Sequence, residues 1–397
     1  MRNRVALSVT IALVTLSFGS TIFTIFPLFS AKDGRYVPIT VKTDNKKSSI
    51  VVLSSFVTVT GDDATNQQQA PPPISSLIDN MRDHIINKAC YAHVWNYPFI
   101  VNTTYGFTTV ASLVATRPWL RFGGWHRVPQ LEAALVDRTK PNGWVLYADL
   151  DYVIKDISRP LESFTSQFEL YGLEPHVFVA TDTQDVYAFS DFAFMIRNSD
   201  FGRSVLRYWQ EFAMGICPRG NFLPKENDDT LLQWYDTDQP GLWYALIKAH
   251  MEFYPNDVLP RTHPRCNASS GYIAEENGSY WLSINEYFAG NGLIFGNSEE
   301  DLASIPKYQP IIWSRNTNAS RPGLGLQMNW GPWADAEPFA FGIHQKQTDQ
   351  WPAAMIRELD LCKRLHRCDV HIDNNTNWQV ITSCNSTIQN SRPTIVQ

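Results

Sequence analysis

Apolar and polar positions alternate along this chain in a few recognisable patterns. The first, "VALSVTIALVTLSFGSTIFTIFPLFSA", carries no charged side chain from Val5 to Ala31, which is enough to cross a hydrocarbon core of about 30 Å as a helix. A polar segment without periodicity follows. Then "SIVVLSSFVTV" runs apolar and β-branched between polar flanks, the pattern of a strand buried on both faces. After the loop "GDDATNQQQAPPP", "SSLIDNMRDHIINKACY" sets Leu77, Met81, Ile85 and Ile86 at helical spacing, and "YAHVWNYPFIV" behind it reads as a second extended segment. "WHRVPQLEAALVDRTKPNG" predicts a further amphipathic helix on Val128, Leu131, Ala134 and Leu135, closed by Pro and Gly. Strand, helix and strand in this order predict an α/β fold built on a parallel sheet.

A chain of 397 residues with 44% hydrophobic content can bury a large core, in one large domain or two moderate ones. Lys plus Arg number 33 against 39 for Asp plus Glu, with no long basic run, so nucleic acid is excluded as the expected partner. The apolar N-terminal run reads as a membrane anchor; a cleaved signal peptide is the alternative, but the run exceeds the usual core of one and lacks a clear small-residue cleavage site. Flanking charge does not orient it, because Arg2 and Arg4 precede the span while Lys32, Arg35, Lys42, Lys46 and Lys47 follow it. Glycosylation sequons do: Asn102, Asn267, Asn277, Asn318, Asn374 and Asn385 all lie downstream. Six cysteines, Cys90, Cys217, Cys266, Cys362, Cys368 and Cys384, form an even set suited to disulfides in an oxidising compartment. Zinc is disfavoured, since "CKRLHRC" has a five-residue gap and no second close pair. The pairing cannot be deduced. The expected organisation is a cytoplasmic tail at 1–4, a transmembrane signal-anchor at 5–30, a stem at 31–48 and a luminal catalytic domain at 49–397, in a single-pass type II protein of the Golgi or ER membrane.

The stretch "GWVLYADLDYVIKDI" raises the question of chemistry. In βαβ sheets ligands gather at the carboxyl ends of the strands, and the apolar run delivers Asp149 and Asp151 to that edge. Side chains at i and i+2 of an extended segment point the same way, so both carboxylates could reach one hard cation, which in turn neutralises phosphate oxygens. Two turn-forming aspartates are the plainer reading, and "DTD" recurs at Asp236 and Asp238. Only the first pair ends an apolar run, where a carboxylate is costly without a partner. Neither GxxxxGK nor GxGxxG occurs, so phosphates would be held by metal and basic side chains.

The ordered blocks "WVLYADLDYVIKD", "AFSDFAFMIRNSDFGRSVLRYWQEF", "YDTDQPGLWYALIK" and "AFGIHQKQTDQWP" resemble those of GT-A nucleotide-sugar glycosyltransferases over about residues 50–352, with the nearest pattern in glycosyltransferase family 34, the retaining galactosyl, mannosyl and xylosyl transferases. "FIVNTTYGFTTVASLV" and residues 252–335 have no counterpart in that pattern. The resemblance implies a GT-A (Rossmann-like) mixed, mostly parallel sheet flanked by helices. It also implies transfer of a hexose or pentose from a UDP- or GDP-sugar to a glycan or glycoprotein acceptor, with retention of anomeric configuration. By position, Asp149 would meet the nucleotide ribose or the metal, Asp151 would ligate the metal directly and His344 would complete its shell. Such an Asp/Asp/His set suits Mn²⁺ or Mg²⁺ acting as a Lewis acid. Asp238 and Gln239 would open a helix near the reacting sugar, and Arg127, Asn80, Arg82 and Lys346 would contact the donor. Two departures stand out: Ser190 and Asp191 where the family prefers Asn and a small residue, and Lys346 only two positions after His344.

Each residue has a plainer reading. His344 can be a satisfied core residue, Asp238 an N-cap with Pro240 at the first helical position, and Asn80 and Arg82 exposed helix residues. A glycoside hydrolase is a further alternative, but it needs carboxyls about 5–10 Å apart flanking a bond, and Asp149 and Asp151 are expected to converge. An inactive sugar-binding or scaffold protein could use the 13 tryptophans for stacking, although aromatics more often fill cores. Intact Asp149, Asp151 and His344 argue against that reading.

Overall fold

Ile50, Val51, Val52 and Leu53 are all buried, and they alternate between two hydrophobic clusters, Val51 and Leu53 in one, Ile50 and Val52 in the other. A strand apolar on both faces needs a sheet covered on both sides, as the unbroken run predicts. The computed structural model describes residues 47–55, 79–102, 124–170, 172–180, 191–213, 238–255, 294–295, 310–314, 328–330, 341–344, 349, 351, 353–373 and 379–384. The expected tail and anchor lie outside these, and among the described residues no helix is long and apolar enough to cross a membrane.

In chain order the strands of the main sheet are β1 (Ser48–Ser55), β2 (Phe99–Asn102), β3 (Thr139–Ala148), β5 (Val177–Ala180), β6 (Ala193–Arg197), β7 (Ile294–Phe295) and β8 (Ile311–Ser314). A second sheet contains β4 (Tyr152–Ile154), β9 (Met328–Trp330) and β10 (Gly342–His344), and β11 (Asp369–Asp373) pairs with β12 (Gln379–Ser383). The main sheet runs β2-β1-β3-β6-β5-β8-β7; β6 is antiparallel to β3 and β5, and the other neighbours are parallel. The expected mixed, mostly parallel sheet is therefore present.

The helices are α1 (Arg82–Trp95), α2 (Arg127–Ala133), α3 (Glu162–Leu170), α4 (Asp200–Ala213), α5 (Asp238–Phe253) and α6 (Ala353–His366). Residues of α2, α4 and α5 share one core with Val145 and Tyr147 of β3, while residues of α1 and α3 share the other with Trp144 and Leu146. All four apolar positions expected to drive α2, Val128, Leu131, Ala134 and Leu135, are buried. Its end differs from expectation: Ala134–Arg138 forms a single π turn, and Pro141 and Gly143 fall inside β3. Gly143 is required there, because a Cβ would lie 2.6 Å from the Ser49 carbonyl oxygen of β1.

The second extended segment begins later than its composition suggests. Tyr91–Trp95 continues α1, because Tyr91 and Ala92 complete a buried helix face. Asn96 then ends the helix in the left-handed conformation, φ 59°, which asparagine tolerates. Only Phe99–Asn102 is extended.

Two disulfides tie the C-terminal elements down. Cys90 of α1 pairs with Cys362 of α6, and Cys368 pairs with Cys384 across the ends of the β11–β12 hairpin. Cys217 and Cys266 lie outside the described residues. The sulfurs of Cys90, Cys362 and Cys368 lie within 4.8 Å of one another, in a third core with Ile85, Ile86, Leu150 and Leu359. The Cys90–Cys362 bond spans 272 residues of sequence, and closing so long a loop in the unfolded chain gives a bridge most of its leverage. Replacing both partners by Ala is expected to cost about 2–5 kcal/mol, measurable by denaturant unfolding of the oxidised protein.

Candidate functional site

The carboxyl end of β3 delivers its two aspartates as expected, but not in an extended segment. The Tyr152 N–H donates to the Asp149 carbonyl at 3.0 Å, and the Asp149 N–H donates to the Phe192 carbonyl at 2.7 Å. Asp149–Tyr152 is thus a tight turn, which lets the chain leave the main sheet and enter β4 of the small one. The i, i+2 alternation of a strand cannot be what aligns these carboxylates; the turn sets their relation.

Asp149 is held from inside. Its Oδ1 accepts the Tyr147 hydroxyl at 2.6 Å and lies 3.2 Å from Arg127 Nη2, and the Tyr147 hydroxyl also meets Ser55 Oγ at 2.9 Å. Arg127, the first residue of α2, is buried with three carboxylates around it. Besides Asp149 they are Asp191, at 2.9 Å from Nη1, and Asp238, at 2.8 Å from Nε. These last two contacts are ion pairs by distance without hydrogen-bond alignment, whereas Nη1 also donates to the Asp191 carbonyl at 2.8 Å. The guanidinium lies over the Tyr147 ring, 5.1 Å from its centroid.

Protonation follows from this packing. Burial opposes the charge on Arg127, but Asp149, Asp191 and Asp238 more than offset it and hold its pKa well above the ordinary value. Burial pushes the Asp191 carboxyl well above the usual range, against the pull of Arg127 and with the neighbouring acids adding to the rise. Burial acts on Asp238 the same way, yet Arg127, Asp191 and the Gly124 backbone bring its pKa below the ordinary value. The surroundings thus drive the two carboxyls apart, favouring a shared proton on Asp191 over Asp238. Beside them His126 is kept neutral, its pKa lowered to about 3 by burial and by Arg127.

Asp238 opens α5, where its carbonyl accepts the Trp209 indole N–H at 2.8 Å. Gly241 allows α5 to sit close, since a Cβ there would lie 2.7 Å from the Trp125 ring. Gln239 beside it is half-buried. Arg127 so links the D-x-D turn to the Asp238–Gln239 helix start, bringing together Arg127, Asp149 and Asp238, which the sequence pointed to separately.

His344 ends β10, which pairs antiparallel with β4 and sets His344 opposite Tyr152, next to Asp151 in the chain. The ladder places its backbone beside the D-x-D turn. Gly342 is needed in that ladder because a Cβ would overlap the buried Tyr152 ring.

The donor-contact residues fare differently. Arg127 is enclosed by three carboxylates. Arg82 is tied to Asp79 at 3.1 Å, to Asp369 at 3.0 Å and to the Val370 carbonyl at 2.9 Å, so it fastens α1 to the C-terminal hairpin. Asn80 is exposed. Asn102 is the last residue of β2, while Lys346, Asp236, Asn267, Asn277, Asn318, Asn374 and Asn385 lie outside the described residues.

Three participants were missed. Tyr147 hides inside an apolar run. Asp191 was visible only as a departure from the family pattern. Lys88 is wholly buried in α1, with Nζ donating to the Leu150 carbonyl at 2.7 Å and to the His84 carbonyl at 3.3 Å. Burial lowers its pKa to about 7 although Asp151 and Asp149 act to raise it. A lysine amid "HIINKACYA" was the available signal.

Fold and site together define an α/β protein with an acidic turn at a strand edge, where the backbone of His344 runs beside Asp149–Tyr152. No protein-family model and no curated protein matches the sequence. Among solved structures, a glycosyltransferase involved in the glycosylation of the major capsid of PBCV-1 aligns at TM-score 0.30 and 11% identity, over 79% of this chain and 98% of that one. The glycosyltransferase GlyE of Streptococcus pneumoniae TIGR4 aligns at TM-score 0.22 and 11% identity, over 79% of this chain and all (100%) of that one. Likenesses of that degree carry no argument about the site, whose reading rests on its own geometry.

A carboxyl whose folded pKa lies above its unfolded value binds more protons folded than unfolded, so its contribution to stability is full below 3.8 and declines as pH rises toward the folded pKa. Asp191→Asn removes that decline. The stability difference between variant and parent is expected to move in the variant's favour from about pH 4 to pH 7, read from urea unfolding across that range.

Proposed function

We propose that this protein is a metal-dependent glycosyltransferase that moves a hexose or pentose from a UDP- or GDP-sugar to a glycan or glycoprotein acceptor. The observation that carries the reading is the Asp149–Tyr152 turn at the carboxyl end of β3, flanked by the backbone of His344 and joined through Arg127 to the start of α5. A divalent cation, Mn²⁺ or Mg²⁺, held by Asp149, Asp151 and His344 would offset the charge that develops on the departing nucleoside diphosphate. Tyr147 and Arg127 fix the Asp149 carboxylate in one orientation before any ligand arrives, the preorganisation that makes electrostatic stabilisation effective. Asp238 is engaged by Arg127, which favours the half-buried Gln239 as the side chain presented to the sugar, with Asp238 positioning it. Retention of configuration is part of this proposal and rests on the resemblance of the sequence blocks. So does a luminal, membrane-anchored body in the Golgi or ER, which rests on the apolar run and the six sequons.

The test is release of UDP or GDP from nucleotide sugars with added Mn²⁺, with and without acceptor glycans. Asp151→Asn preserves size and removes a negative charge, so a folded variant is expected to lose roughly 10²- to 10³-fold in rate. His344→Ala is expected to raise the Mn²⁺ concentration needed for half-activity, because water can partly refill one lost ligand position. Near-normal turnover in folded Asp151→Asn would sink the assignment.

Retention has its own check. NMR of the purified product is expected to show the donor's anomeric configuration preserved, and an inverted linkage would remove retention while leaving transfer intact.

A further inference from the structure

Two adjacent buried polar side chains of α1, Asn87 and Lys88, are spent on one short piece of chain. Asn87 Nδ2 donates to the Ile154 carbonyl at 2.9 Å, and its Oδ1 accepts the Ile154 N–H at 2.8 Å. One residue on, Lys88 Nζ reaches the Leu150 carbonyl at 2.7 Å, at the middle of the D-x-D turn. Leu150 itself is buried beside Ile85, Ile86 and Cys90 of α1. The turn is thus fastened to α1 twice, by an apolar side chain and by an amine.

A lysine with no exposed surface is rare, since an apolar residue of similar length would fill the space without desolvating an amine. The bond to Leu150 supplies a reason. A carbonyl inside a tight turn is free of ladder constraints, and holding it fixes the Leu150–Asp151 peptide plane. The Tyr152 N–H bond to the Asp149 carbonyl holds the plane before it, and together they set the directions in which Asp149 and Asp151 leave the backbone. The amine donates to that carbonyl whether or not it carries the extra proton.

We propose that Lys88 is a positioning residue for the cation site, holding the Asp149–Tyr152 turn in the shape that lets Asp149 and Asp151 share one divalent ion. The inference rests on the metal-dependent reading above. Groups behind metal ligands commonly contribute 10- to 100-fold in affinity by fixing their orientation.

The experiment is Mn²⁺ binding to the full-length chain, followed by electron paramagnetic resonance without any donor or acceptor. The parent is expected to bind, and Asp151→Asn to lose that binding. Lys88→Met, similar in length and unable to donate, is expected to fold by circular dichroism and to bind Mn²⁺ about tenfold or more weakly. Affinity in Lys88→Met equal to the parent's would overturn the positioning role, and tighter binding would show that the amine instead competes with the cation. Should Lys88→Met not fold, Lys88→Gln carries the test, because its shorter side chain withdraws the donor from Leu150; unchanged affinity there overturns the proposal equally. Failure of the metal reading looks different: the parent would not bind Mn²⁺, or Asp151→Asn would bind as the parent does, and either result removes this inference with it.

Discussion

One buried guanidinium holds the centre of this protein together. Arg127 meets Asp149 after β3, Asp191 before β6 and Asp238 at the head of α5, so three segments distant in sequence converge on a single charge. Three carboxylates around one cation would leave an excess of negative charge in a space with little water. Burial and the neighbouring acids relieve part of it by favouring the neutral form of Asp191, while Arg127 favours the charged form of Asp238. Such an arrangement is not a general source of stability, because desolvation offsets much of the Coulomb gain. What it supplies is geometry: planar guanidinium donors aimed at fixed positions.

That geometry matters because the D-x-D turn is a seam between two sheets. β3 belongs to the main sheet and β4 to the small one, and only three residues separate their ends. On one side of the seam Arg127 and Tyr147 fix Asp149; on the other, Asn87 and Lys88 of α1 fix Leu150 and Ile154. Across the small sheet, Gly342 lets β10 close on Tyr152 and so brings His344 alongside.

α1 in turn depends on the C-terminal elements. The Cys90–Cys362 bridge, the Arg82 contacts to Asp369 and Val370, and the Lys363–Asp83 ion pair at 2.6 Å all fasten it to α6 and the hairpin. These contacts brace the helix that braces the turn. Arg82 belongs to this bracing, joining the first helix to the hairpin.

Hydrophobic pattern by itself determined the α/β class, the first strand, the core face of α2 and the arrival of two aspartates at a strand edge, because each is written in neighbouring residues with a period of 2 or 3.6. Boundaries failed where burial outweighed local composition: Tyr91–Trp95 reads as β-forming yet completes a helix packed on the sheet. That β6 runs antiparallel to its neighbours in the main sheet left no mark in its residues, since a buried strand looks the same in either direction. Nor could any spacing show that Arg127, expected to face a phosphate, would be enclosed by Asp149, Asp191 and Asp238, or that Lys88 would reach Leu150, 62 residues away. Those contacts join side chains whose separation along the chain is unrelated to their separation in space, and only the folded packing that excludes water from them decides which charges meet and which proton stays.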